Sequence, residues 1–117
     1  MYEIIFSKII DSEIDQSYTY IRETLEAPRA AENLFNELYE KINDILENPY
    51  KRPLVQDKYL ASLGLRSIKV KNYVLYYTIA EENKTVNALR FMYKARDWIN
   101  ILKDEFTEEI SKRRNSV

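Results

Sequence analysis

Histidine and cysteine are both absent from this chain of 117 residues, and glycine occurs once. Without histidine, Ser–His–Asp and Cys–His nucleophile systems are impossible, and so is a histidine-ligated zinc site. Without cysteine there is no disulfide framework and no thiolate metal site. The lone glycine removes phosphate-cradling loops of the GxGxxG and GxxxxGK kinds, which need more than one. Any acid–base chemistry must use Asp, Glu, Lys, Tyr or Arg, and neither a metal nor an organic cofactor is expected. Long apolar runs are missing too: nothing approaches the roughly 18 residues of a membrane helix. The opening MYEIIFSKIIDSE carries acids where a signal peptide has a basic stretch. A cytoplasmic protein without membrane contact is the expectation.

The residues present are 45% hydrophobic and 32% charged, ordinary for a globular chain. The length suits one domain with a modest core; residues 1–106 read as that domain and 107–117 as a charged tail. The net charge of −1 conceals a division. Residues 1–50 hold four basic residues against eleven acidic ones, whereas residues 51–103 hold eleven basic against four acidic. Such asymmetry points to an electropositive face for a polyanion or an acidic partner, unless the helices simply carry the acids.

Along the chain, Tyr2 to Phe6 is a short β-prone run. Ser7 reads as an N-cap, and Ile10, Ile14, Ile21 and Leu25, with Tyr18 filling the gap, mark a helical stripe. Pro28 suits the first turn of a second helix, whose stripe runs through Ala31, Leu34, Phe35, Leu38, Ile42, Ile45 and Leu46. Asn48-Pro49 stops it. The two helices should form an antiparallel hairpin. Asn48 to Gly64 reads as a loop with one helical turn around Asp57 to Ser62. Next come strands at Leu65–Val70, Tyr73–Ala80 and Thr85–Tyr93, the middle one apolar on both faces and therefore central, joined as a meander. Asp97 to Phe106 reads as a short closing helix. The fold class is thus α+β in the order β-α-α-β-β-β: a small twisted antiparallel sheet, the hairpin on one face, a short C-terminal helix, and a second face left bare and basic.

These residues, in this order, resemble the RelE/ParE superfamily of type II toxins. The landmarks are Tyr2-Glu3-Ile4 and Phe6-Ser7, Tyr20-Ile21, Ala30-Ala31 and Asn48-Pro49 in the first half. They continue with Gly64-Leu65-Arg66, Val70 with Asn72-Tyr73, Leu89-Arg90, and Tyr93-Lys94-Ala95-Arg96-Asp97-Trp98. The resemblance spans about residues 2–103 and implies a growth-arresting toxin neutralised by a cognate antitoxin. Operator DNA would be contacted only through the antitoxin. It leaves two targets open: DNA gyrase, poisoned by ParE-like members, and ribosome-bound mRNA, cut by RelE-like members.

Cutting RNA without a metal needs a base for the 2′-hydroxyl, cations for the charge that develops, and an acid for the leaving oxygen. The resemblance nominates Arg66, Lys69, Arg90 and Arg96 for such work, and Lys71, Tyr93 and Lys94 for target binding. Each has a plainer reading. Arg66 shares strand parity with Ile68 and Val70 and could be an edge arginine paired with an acid. Lys69 and Lys71 could be surface lysines. Arg90 could be a core-edge ion pair, and Arg96-Asp97 a helix cap. Two departures weigh against RNA cleavage: Val74 stands after Tyr73, where RelE-like nucleases often carry arginine, and no tyrosine or histidine occurs after Tyr93. The reading leans to gyrase poisoning, with mRNA cleavage and a noncatalytic binding module as alternatives.

Overall fold

The structure is a computed structural model that describes the backbone of residues 1–115 and the side chains of residues 1–106. A four-stranded sheet is built from β1 (Glu3–Phe6), β2 (Arg66–Val70), β3 (Tyr73–Ala80) and β4 (Thr85–Tyr93), in the spatial order β1-β4-β3-β2. The meander β2-β3-β4 is antiparallel, as its short turns require. β1 departs from the expectation of an all-antiparallel sheet: it lies parallel to β4, with Glu3 opposite Thr85 and Phe6 opposite Ala88. A parallel pair needs a long crossover. The two helices together with the loop from Asn48 supply it, since that loop brings the chain back antiparallel to β2 (Val55 N–H to the Leu65 carbonyl, 3.0 Å) before β2 starts.

The Ser7 hydroxyl accepts from the Ile10 N–H at 3.2 Å and opens α1 (Lys8–Thr19). Pro28 occupies the first turn of α2 (Pro28–Glu47). Ala31, Leu34, Leu38, Ile42 and Ile45 of α2 are buried, at the spacing that aims one stripe at the sheet. They meet Ile68, Val70, Leu75, Tyr77, Val86, Ala88 and Phe91 from the strands. Tyr18 of α1 contacts Phe35 of α2, while Tyr20 shares a cleft with Ala27 and Ala30, so the helices run antiparallel as a hairpin. The continuous stripe expected through Leu25 fails at its end. After Thr19 the chain makes a π turn, Tyr20–Thr24, which inserts an extra residue per turn and rotates the residues beyond it. Leu25 is left 54% exposed.

A short helix α3 (Lys58–Ser62) is capped by Asp57, which accepts from the Leu60 N–H at 2.9 Å. It ends at Gly64, whose φ of 83° lets the Leu65 N–H reach back to the Leu60 carbonyl. The second sheet face is not bare. The closing helix, α4 (Trp98–Asn115), packs on it and joins α3 in a second core of Leu60, Leu65, Tyr76, Met92 and Leu102. Tyr76 stacks on Trp98 at 5.0 Å, and Lys103 pairs with Asp57 at 3.0 Å. The side chains of the charged segment after Phe106 lie outside the described residues. No described helix is long and apolar enough to cross a membrane.

Candidate functional site

The β2–β3 hairpin turns at Lys71-Asn72, with Val70 opposite Tyr73. Lys71 has φ 56°, a left-handed conformation unusual for a residue with a side chain. Glu37 of α2 holds it there: its carboxylate accepts the Lys71 N–H at 2.8 Å and lies 3.6 Å from the Lys71 ammonium. The end of β4 is tied to the same turn, since the Lys94 N–H donates to the Asn72 carbonyl at 2.9 Å. The Arg96 N–H then returns to the Tyr93 carbonyl at 3.0 Å, a tight turn leading into α4. Lys71, Tyr93, Lys94 and Arg96 are thus gathered at one end of the sheet, and all four are exposed.

That end faces the corner of the helical hairpin, and the space between is a cleft of about 740 Å³. Ile21, Leu25 and Leu34 give it an apolar floor, Tyr20, Tyr73 and Tyr93 a tyrosine rim, and Lys71 with Asn72 its polar side. Tyr73 is fixed by stacking on Phe91 at 5.0 Å and by an edge contact with Tyr93 at 5.7 Å. Arg96 borders a smaller groove that shares Tyr20, Tyr73 and Tyr93 with the cleft. An apolar floor with aromatic edges and cations on one side suits insertion of side chains from an acidic partner, or stacking of a flat group.

The remaining nominated residues lie elsewhere. Arg66 is opposite Tyr77, four rungs along β3 from Tyr73, which at about 3.3 Å per residue puts its backbone roughly 13 Å from the cleft end. Its guanidinium donates to the Arg52 carbonyl and lies 5.3 Å over the Tyr50 ring. Lys69 is exposed on β2 with opposite parity to Ile68 and Val70, toward the side that α4 covers. Arg90 is buried, and Glu13 grips it with both carboxylate oxygens (Nε at 3.0 Å, Nη2 at 2.9 Å) while Glu105 takes Nη1 at 2.9 Å. Burial opposes the charge, but hydrogen bonds to Glu13 and Glu105 outweigh it, so the guanidinium pKa is raised. Its parity is not that of Val86 and Ala88, because Tyr76 pairs with Arg90 and Tyr77 with Ala88. Leu89 is the extra residue of a β-bulge, which turns Arg90 to the other face.

Two rim residues are hidden from a reading of the sequence. Tyr73 reads as core because it sits in an apolar strand, and it is half-buried in that core while also lining the cleft. Tyr20 lies in the π turn, where 3.6-residue periodicity assigns no face.

A family model described as the ParE toxin of the type II toxin-antitoxin system parDE matches residues 4–98. The chain belongs to this family. It is therefore a type II toxin of the RelE/ParE superfamily. Solved structures of toxin–antitoxin proteins share the fold. The chromosomal ParDE system from P. aeruginosa superposes with TM-score 0.61 at 13% identity, covering 80% of this chain and 96% of that one. The RelBE2 complex from Mycobacterium tuberculosis gives TM-score 0.52 at 22% identity, covering 79% and 96%. The isolated E. coli RelE toxin gives 0.53 at 18% identity, covering 94% and 99%. None of the curated protein sequences matches it.

Proposed function

We propose that this toxin arrests growth by docking on DNA gyrase rather than by cutting mRNA, and that it does so in the cytoplasm. The observation that carries this is the scatter of its cations. Arg66, at the start of β2, is tied to the Arg52 carbonyl roughly 13 Å along the sheet from the cleft, Arg90 is neutralised by two glutamates, and Lys69 lies on the other side. An RNA cut would need a base, an acid and charge stabilisers within reach of one phosphate. The residues gathered instead form an aromatic, partly apolar cleft with Lys71, Lys94 and Arg96 beside it, a surface suited to protein docking. Residues 1–106 act as the toxin domain, and Lys71, Tyr93, Lys94 and Arg96 as its target-binding residues. Structures of the same fold include the RelBE2 toxin-antitoxin complex, and in this reading a cognate antitoxin covers the cleft and carries the operator contacts.

Purified toxin mixed with gyrase, ATP and relaxed plasmid should block supercoiling and trap cleaved DNA, and Tyr93→Ala with Arg96→Ala should abolish both. Codon-phased cuts in translated mRNA, with gyrase untouched, would reverse the reading and make Arg96 and Tyr93 candidates for chemistry.

A further inference from the structure

A second groove, of about 450 Å³, lies on the helical hairpin and is lined by Asp15, Tyr18, Glu32, Phe35 and Asn36. It shares no lining residue with the tyrosine-rimmed cleft. Helical spacing puts Glu32 and Asn36 far round α2 from the buried stripe of Leu34, Leu38 and Ile42, so the groove opens away from the sheet. Two rings line it, Phe35 meeting Tyr18 at 6.0 Å and 78°, and Phe35 also contacts Tyr39 beside the groove at 5.0 Å and 64°. An edge-to-face contact covers one face of one ring, and Tyr18 and Phe35 are both partly exposed. Tyr39 is 55% exposed.

The charge around these rings decides what fits. No lysine or arginine lines the groove, and neither Asp15 nor Glu32 forms an ion pair among the described residues. Across residues 8–47 there are eight exposed carboxylates against three exposed cations. A nucleic acid backbone is repelled by that field. A purely apolar side chain would cover the rings but desolvate the carboxylates without compensation. Arginine answers both features, because its guanidinium stacks on aromatic faces and pairs with carboxylates through a planar fork; lysine does the second less well.

We propose that the hairpin groove docks an arginine-bearing segment of a partner protein, with a guanidinium on the Tyr18 and Phe35 rings between the carboxylates of Asp15 and Glu32. Because the groove and the cleft share no residue, both can be occupied at once. The toxin can then be held on its hairpin while its cleft engages a different molecule.

The test uses the full chain with isotope-labelled aromatic side chains. The probe is an acetylated, amidated alanine-based peptide with two arginines four positions apart, compared with the same peptide carrying citrulline. Saturable NMR shifts are expected at Tyr18, Phe35 and Tyr39, with half-saturation below about 1 mM and no matching change at Tyr73 or Tyr93. The citrulline peptide should bind at least about tenfold more weakly. The double variant Asp15→Asn, Glu32→Gln, at exposed helix positions, should lose a similar factor with its peptide-free spectrum and circular dichroism unchanged. Absence of saturable shifts, equal binding of citrulline, or principal shifts at the cleft would overturn the proposal. So would concentration-dependent shifts at these rings without peptide, matched by dimers in sedimentation, which would make the face a contact between copies of the chain.

Discussion

Glu13→Ala is expected to be among the most destabilising single changes in this protein, although neither residue of the pair it breaks lies in a hydrophobic cluster. The Glu13 carboxylate accepts from the Arg90 Nε and Nη2 and also from the Phe91 N–H at 2.9 Å. The two side chains are only 11% and 14% exposed. Removing Glu13 deletes two charge-assisted hydrogen bonds, frees a strand N–H beside the bulge, and leaves a guanidinium short of countercharge. Breaking a buried pair by deleting one partner costs about 3–5 kcal/mol. Glu105 still holds Nη1, and water has some access, so about 2–4 kcal/mol is the working figure here. Glu105 is 39% exposed and serves one nitrogen, so Glu105→Ala should cost only about 1 kcal/mol. For a domain of this size each kcal/mol lowers Tm by roughly 4 °C. Urea and thermal unfolding followed by circular dichroism would therefore separate the two variants clearly. Replacing all three side chains together (Glu13→Leu, Arg90→Met, Glu105→Leu) should recover most of the loss, because no uncompensated charge remains. A Glu13→Ala variant no less stable than Glu105→Ala would refute the reasoning and free Arg90 for a role in function.

Other variants test separate parts of the fold. Tyr77→Phe removes the buried hydrogen bond its hydroxyl donates to the Pro49 carbonyl at 3.0 Å and should cost about 1–2 kcal/mol in urea unfolding. Tyr76→Phe should be nearly neutral, since that ring works by stacking on Trp98 and its pKa, pushed up to about 12 by burial, keeps it uncharged. Gly64→Ala places a side chain at φ 83° and should cost about 1–2 kcal/mol, read from the same unfolding curves. Hydrogen bonds from Lys84, Tyr2 and Tyr50 lower the Glu81 pKa from 4.5 to about 2. Stability from a lowered carboxylate pKa is present above the unfolded value and lost as pH falls through the folded one. The advantage of wild type over Glu81→Gln should thus be full above about pH 5 and vanish toward pH 2, a trend acid-unfolding curves of the two proteins can check.

Much of this fold is written locally. Ser7 before an apolar period of 3.6, Pro28 at a helix start, Asn48-Pro49 at a helix end and two short strand turns each carry their own stereochemical reason, and the elements lie close to where those signals put them. Features set by partners far away in sequence were not legible. Nothing in Glu3–Phe6 states that it will add in parallel to β4, because that choice belongs to the crossover. The bulge at Leu89 has no residue signature, and it turns Arg90 away from the face that Val86 and Ala88 occupy. The helix expected to close at Phe106 instead runs from Trp98 to Asn115, and together with α3 it covers the sheet face that reads as bare. At the site, the sequence nominates Lys71, Tyr93 and Lys94 for target binding and Arg96 for catalysis, and two turns bring all four to one end of the sheet. Arg66 matched the same pattern but lies at the far end of its strand, a distance that only strand register reveals.

The backbone irregularities of this chain are not spread evenly. Among the described residues, three other than glycine have positive φ: Glu26, Lys71 and Lys84. Glu26 stands beside Ala27 in the cleft wall, Lys71 lines the cleft directly, and the π turn supplies Tyr20 and Ile21 to it. Three departures from regular geometry therefore border one cavity. Two of them have a cheaper alternative in conformational terms: a regular helix through Leu25, and glycine at Lys71, where the left-handed form carries a penalty of about 1 kcal/mol for a side chain. Outliers of this kind persist only where surrounding structure enforces them, and they cluster at working surfaces. A regular α-helix through Leu25 would rotate that residue toward the hairpin stripe and close the apolar floor. Lys71→Gly should therefore hold or raise stability, since the exposed pair with Glu37 contributes little, while weakening growth arrest by removing a cation from the cleft edge. A variant more stable and equally toxic would detach the strained turn from function.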